Sequence, residues 1–165
     1  MQASATLRFM VDHMLIKLGK YLRILGYDAA WDAALRTHEL ILRANAEDRI
    51  FLTRNTHLAH QYPVPSKVLV LTATDPVAQL NRVVAQWALQ PQARLFTKCI
   101  RCNVVLEEVG DKALIRERVH PNVYARFSTF YRCPSCGTVF WKGSHVRNTC
   151  RKLGLPPPAA ATNSV

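Results

Sequence analysis

Apolar residues in the first half of the chain fall into two alternating kinds of run. LRFMV (7–11), IFLT (50–53) and KVLVL (67–71) are short, unbroken and β-rich, as buried strands are, and YDAAW (27–31) is a weaker run of the same kind. The last two of the strong runs are too apolar for a surface. Between the strands lie segments of helical period. In MLIKLGKYLRIL (14–25), Leu15, Leu18, Leu22 and Leu25 share a face, Lys17, Lys20 and Arg23 take the others, and Gly26 ends the helix. HELILRANAE (38–47) reads as a helix with Thr37 as N-cap, and PVAQLNRVVAQWAL (76–89) as an amphipathic helix with Pro76 in its first turn. Strands alternating with helices predict a parallel α/β sheet.

After Leu89 this pattern stops. QPQARLF (90–96) reads as a linker, and from Cys99 the chain breaks into short pieces around cysteine pairs. KGSHVRNTCRKLG (142–154) suits a last short basic helix, and LPPPAAATNSV (155–165) a disordered tail. The expected division is a sheet domain over 1–90, a small cysteine module over 91–154 and the tail. No internal repeat is visible.

Charge adds a partner class. The 165 residues carry 22 Lys and Arg against 11 Asp and Glu, a formal net charge of +11. Such a balance favours polyanions, because each neutralised phosphate releases condensed counterions, but it does not choose between nucleic acid and a membrane surface. No apolar run approaches a membrane span, and MQASATLR lacks the apolar centre of a signal peptide. The cytoplasm is the expected compartment.

The cysteines are more specific. Cys99 with Cys102, and Cys133 with Cys136, form two C-x-x-C turns. In a reducing compartment two such pairs point to zinc before disulfides. Four thiolates fill a tetrahedral shell and leave no place for water, so the site is structural, and a β-hairpin insertion accommodates the long gap between the pairs. Two unrelated buried cysteine pairs are the plain alternative. Cys150 is left as a spare, partly buried thiol, and His120 and His145 are left without a ligand role.

A second constellation is acidic. Asp12 follows the first strand, Glu39 opens the second helix, Asn55 follows the third strand, and Asp75 lies past the fourth. On a parallel sheet all four approach one carboxyl edge, where functional groups gather. Hard oxygen ligands there suit Mg²⁺ or Mn²⁺, which activate water and steady the charge of phosphodiester cleavage. Each residue also has a local explanation: Asp12 and Asp75 as helix caps, Glu39 as a complement to a helix dipole, Asn55 as a turn residue.

FMVDHMLIKLGKYLRILGYD (9–28), IFLTRN (50–55), CIRCN (99–103) and YRCPSCGTVFWKGSH (131–145) together resemble the Mut-seven C-terminal RNase domain family. The resemblance runs from about residue 7 to 150. It implies a PIN-like nuclease fold, a parallel sheet flanked by helices, followed by a zinc ribbon. It further implies a metal-dependent ribonuclease with Asp12 as first acidic ligand, Glu39 and Asp75 as further members, and zinc on Cys99, Cys102, Cys133 and Cys136. The family usually reads L-T-R-D where this chain has Asn55. Losing that charge removes an attraction of roughly 4 kcal/mol per unit charge at about 4 Å and an effective dielectric near 20, yet leaves a carbonyl oxygen able to bind a cation.

Two classes of function follow. As a ribonuclease, the chain holds Mg²⁺ or Mn²⁺ on Asp12, Glu39 and Asp75, Asn55 orients a water or ligand, and Lys17, Arg23 and Arg54 grip the RNA backbone. As an RNA-binding or adaptor protein, alone or in a ribonucleoprotein, it keeps the fold without the chemistry. In both, Arg101, Arg132, Lys142, Arg147 and Arg151, interleaved with Phe130, Tyr131, Phe140 and Trp141, suit looped or single-stranded RNA. The rings have the alternative of forming the module's small core, and Lys17 and Arg23 that of a solvated helix face. No recognition-helix motif supports a DNA-binding regulator.

Overall fold

Two central strands buried on both faces carry the first sheet. The computed structural model describes residues 7–60 and 63–158. The chain divides into two compact units, residues 1–96 and 97–165. In the first unit, β1 (Arg8–Val11), β2 (Asp28–Ala30), β3 (Ile50–Thr53) and β4 (Val68–Val70) pair in parallel in the order β2-β1-β3-β4. The α/β reading, a parallel sheet flanked by helices, holds.

Register explains which helix covers which face. Met10 lies opposite Phe51, and with Ala30 the two pack against Leu40, Ile41 and Ala44 of α2 (Thr37–Ala46). One residue along, Phe9 points to the other face. Its ring meets Trp87 of α3 (Pro76–Trp87) edge-on at 5.5 Å. There α1 (Ile16–Ile24) packs beside α3, burying Leu18 and Leu22. Gly26 follows α1 at φ 85°, the left-handed conformation a glycine adopts without steric cost, while Tyr27 N returns to Leu22 O at 2.9 Å.

Several local expectations change. A short 3-10 turn (His13–Leu15) precedes α1, and α2 begins at Thr37 with Arg36 in the N-cap position. KVLVL is not enclosed: β4 is an edge strand, with Val68 45% and Val70 37% exposed. In segment 90–96, Phe96 N donates to Ile24 O at 2.8 Å.

The second unit holds a three-stranded antiparallel sheet, β5 (Glu107–Glu108), β6 (Tyr131–Arg132) and β7 (Val139–Phe140), with β6 central. Where a simple hairpin was expected between the cysteine pairs, a 3-10 segment (Lys112–Arg118) and α4 (Pro121–Arg126) intervene. The basic helix forms as α5 (Ser144–Lys152), turning Val146 and Cys150 inward. Phe130 and Ile115 are both buried in the small unit, and the Phe130 ring stands 6.4 Å from that of Trp141. Most of the expected tail, residues 159–165, lies outside the described residues, as do residues 1–6. Among the described residues no helix is long and apolar enough to cross a membrane.

Candidate active site and metal centre

β1 and β3 are neighbours at the point where strand order reverses; Asp12 follows the carboxyl end of β1 directly, and Asn55 lies two residues past the end of β3. Pairing continues past β1: Asp12 N donates to Leu52 O at 2.9 Å. Asp12 as a whole is 7% exposed. Its Oδ1 accepts from His13 N at 2.7 Å, and its Oδ2 from Thr53 Oγ1 at 2.8 Å. Thr53 is fully buried, and its Oγ1 also accepts from Asn55 N at 3.0 Å. Asn55 in turn accepts at Oδ1 from His57 N at 2.9 Å, an Asx turn that fixes the carboxamide at the end of β3.

Asp12 forms no ion pair among the described residues. A nearly buried carboxylate without a counter-charge is costly, and a cation removes that cost. Asp12, Thr53 and Asn55 supply only oxygen donors there, the ligand type hard divalent ions take. Of these, the carboxylate of Asp12 and the carboxamide oxygen of Asn55 are the donors an ion of the Mg²⁺ or Mn²⁺ type would take, since the Thr53 hydroxyl is already engaged on both sides. Beside them, Arg54 Nε is buried with no hydrogen-bond partner.

Glu39 and Asp75 are held locally. Glu39 Oε2 accepts from Arg36 N at 2.7 Å, and Asp75 Oδ2 from Ala78 N at 2.9 Å, each capping its own helix. Both side chains are exposed. With Asp12 they do not close into a group that could share one ion; among the described residues only the four cysteines do.

Lys17 is exposed on α1. Arg23, expected to grip phosphate, is instead 4% exposed. Its Nε donates to Ala29 O at 2.7 Å, and its guanidinium lies 3.5 Å from the centre of the Trp31 ring. A planar cation can be buried this way because the ring face and the carbonyl replace its water. Thr53, the hydroxyl joining the site, went unnoticed in the sequence. Its only signal is a β-branched polar residue closing an otherwise apolar strand.

The cysteine centre has a repeated design. Asn103 N donates to Cys99 O and Gly137 N to Cys133 O, both at 2.9 Å. Asn103 and Gly137 occupy the same place after each C-x-x-C, with φ 63° and 72°. Cys99 N reaches Val104 O, and Cys133 N reaches Thr138 O, closing matching turns. All four Sγ atoms lie within 4.8 Å of one another, and Cys99 Sγ is 3.9 Å from Cys136 Sγ. Sulfurs bound about 2.3 Å from one tetrahedral ion stand about 3.8 Å apart. The four cysteines thus fit one zinc ion. In the free thiols, burial pushes Cys99 up to about 12, whereas the Thr138 hydroxyl, 3.2 Å from Cys136 Sγ, holds that thiol down at about 6. Cys150 is buried apart, its thiol raised by desolvation.

Arg101, Arg132, Arg147 and Arg151 are exposed on the second unit, and Lys142 is half-buried. A family model described as Mut7-C RNAse domain matches residues 7–153. No curated protein matches the chain.

Proposed function

The chain belongs to the Mut7-C RNase domain family, and from that premise we propose that it is a divalent-metal-dependent ribonuclease whose zinc-bearing unit assists RNA binding. The observation that carries this reading is the Asp12–Thr53–Asn55 chain of hydrogen bonds at the carboxyl ends of the two central strands. Asp12 is the anionic ligand, Thr53 fixes the direction of its oxygens, and Asn55 supplies a neutral oxygen or orients a water. When bound, Mg²⁺ or Mn²⁺ supplies an activated water and neutralises charge on the phosphate. Arg54 and Lys17 hold the RNA backbone near that edge. Glu39 and Asp75 contribute only after leaving their helix caps, so their share is smaller than that of Asp12. Cys99, Cys102, Cys133 and Cys136 hold a structural zinc. A zinc site of four reduced thiolates belongs to a reducing compartment, and the cytoplasm is the compartment we infer.

A second reading has its own support. Because Glu39 and Asp75 are engaged as caps and do not close around Asp12, the edge also suits a protein that binds RNA without cutting it. Adding Mn²⁺ or Mg²⁺ to zinc-loaded, otherwise metal-depleted protein separates the two. Metal-dependent appearance of RNA fragments supports the nuclease, and RNA binding without fragments under every metal tried supports the binder.

A further inference from the structure

The second unit contains a cavity of about 280 Å³ lined by Phe127, Trp141, Arg126, Lys142, His145 and Arg147, among others. α4 and its end supply Arg126 and Phe127; the segment after β7 supplies Trp141 and Lys142; the first turn of α5 supplies His145 and Arg147. No Asp or Glu lines it. Arg126, Lys142 and Arg147 form no ion pair among the described residues. Three cations line one cavity with no counter-charge on its wall, so an anionic ligand meets attraction there and no competing carboxylate.

The other wall is aromatic. Trp141 packs edge-on against His145, with ring centres 5.6 Å apart. A Cβ at position 143 would stand 2.8 Å from Trp141 Nε1 and 3.2 Å from His145 Nδ1, so Gly143 lets the indole close on the start of α5. Gly143 also brings no side-chain cap; Val146 N and Arg147 N turn back to Gly143 O at 3.1 and 3.5 Å, which leaves the N–H groups of Ser144 and His145 for a ligand. Phe127 and Lys142 extend into a smaller cleft with Thr129 and Tyr131, where Lys142 Nζ stands 5.9 Å from the Tyr131 ring centre. Cations alternating with ring faces match the alternating phosphates and bases of a single strand.

We propose that this cavity is a nucleotide subsite for single-stranded RNA: Arg126, Lys142 and Arg147 take the phosphate, and a base lies in the wall formed by Phe127 and Trp141. Its volume of about 280 Å³, just under the range of small-ligand pockets, admits no more than one nucleotide, and a paired base would not be free to enter it. The subsite deepens the ribonuclease reading by naming where the strand is held, and it rests on that reading for the choice of RNA.

The test is fluorescence anisotropy of a labelled single-stranded hexaribonucleotide on the zinc-loaded full chain, with Asp12→Asn as background so that no cleavage intrudes. Arg126→Gln with Arg147→Gln should weaken binding at least tenfold and lower the salt slope by about 1.4, two contacts at about 0.7 each. The control pair Arg116→Gln with Lys152→Gln, which removes equal charge from exposed positions of the same unit, should cost less than about threefold. Lys142→Gln is a single, milder variant, and zinc content with circular dichroism reports folding in each. A 5′-mononucleotide should compete, inorganic phosphate more weakly, and duplex RNA should not. Equal losses in both double variants, equal duplex affinity, or a loss confined to anionic vesicles overturns the subsite. Normal RNA binding by the pocket variants in a chain that does cleave RNA overturns the subsite alone. A pocket-specific binding loss in a chain that never cleaves overturns the nuclease alone.

Discussion

Thr53 Oγ1 donates to Asp12 Oδ2 at 2.8 Å, across two neighbouring parallel strands, from a fully buried position. The same oxygen receives Asn55 N, so one hydroxyl joins both residues of the candidate site. Thr53→Val keeps the shape and removes the bond, leaving a buried carboxylate oxygen without its donor. The expected cost is about 1–3 kcal/mol in urea unfolding. Thr53→Ser should restore most of it. Cleavage should fall with Val and return with Ser, because Asp12 loses and regains its fixed orientation.

Asn55→Asp should tighten metal binding and lower the Mn²⁺ concentration needed for half-maximal cleavage by more than tenfold, since a charge replaces a dipole beside the ion. Without metal the sign reverses: a second carboxylate joined through Thr53 to Asp12 adds repulsion, and the variant should unfold at lower denaturant. The Asx turn survives, because Asp also offers an oxygen to His57 N. Titrating metal while following melting temperature checks both directions.

How far the sequence went depends on what each signal encodes. Apolar runs define the buried strands β1 and β3, and glycine at 26 defines the end of α1, because burial and backbone conformation act locally. C-x-x-C spacing defines the metal knuckles for the same reason. Whether a strand is central or at an edge is a property of the sheet, so the exposure of Val68 and Val70 was hidden. Arg23 reads as a solvated cation until Trp31, eight residues on, is placed beneath it. Arg126 carries no motif, and it joins Lys142 and Arg147 only when α4 folds beside α5's first turn. The acidic residues share an approximate edge in sequence, but capping bonds decide the finer positions of Glu39 and Asp75.

Metal analysis of dialysed protein should give one zinc per chain. Cys133→Ser removes a buried ligand from the closed set and should abolish that zinc, with loss of the near-ultraviolet signal from the second unit. Zinc uptake by the free protein should strengthen as pH rises, since the Cys99 proton must be displaced. An unchanged melting curve after zinc removal contradicts a structural role.

Acid stability should depend on Glu47. Its carboxylate accepts from Arg43 Nε at 2.7 Å and also pairs with Arg49, and the Arg43 bond is the main reason its pKa falls below 4.5. A carboxylate lowered by folding stabilises fully above its unfolded value and loses that contribution as pH drops through the lowered one. Glu47→Gln should therefore be less stable than the parent at pH 7, with the difference narrowing as pH falls below 4.5 and through the lowered value. Urea midpoints across that range measure it.

The central claim is that Asp12 carries metal-dependent RNA cleavage at the meeting of β1 and β3. Single-turnover cleavage of a single-stranded RNA, with Mn²⁺ added to zinc-loaded protein, should be compared for the parent and Asp12→Asn prepared identically. Cleavage by the parent, falling at least a hundredfold in Asp12→Asn while RNA affinity stays within a few-fold, is the predicted result; a group essential to an electrostatic site has effects of about that size. Equal rates in the two proteins, or no cleavage in either with intact RNA binding, would contradict it.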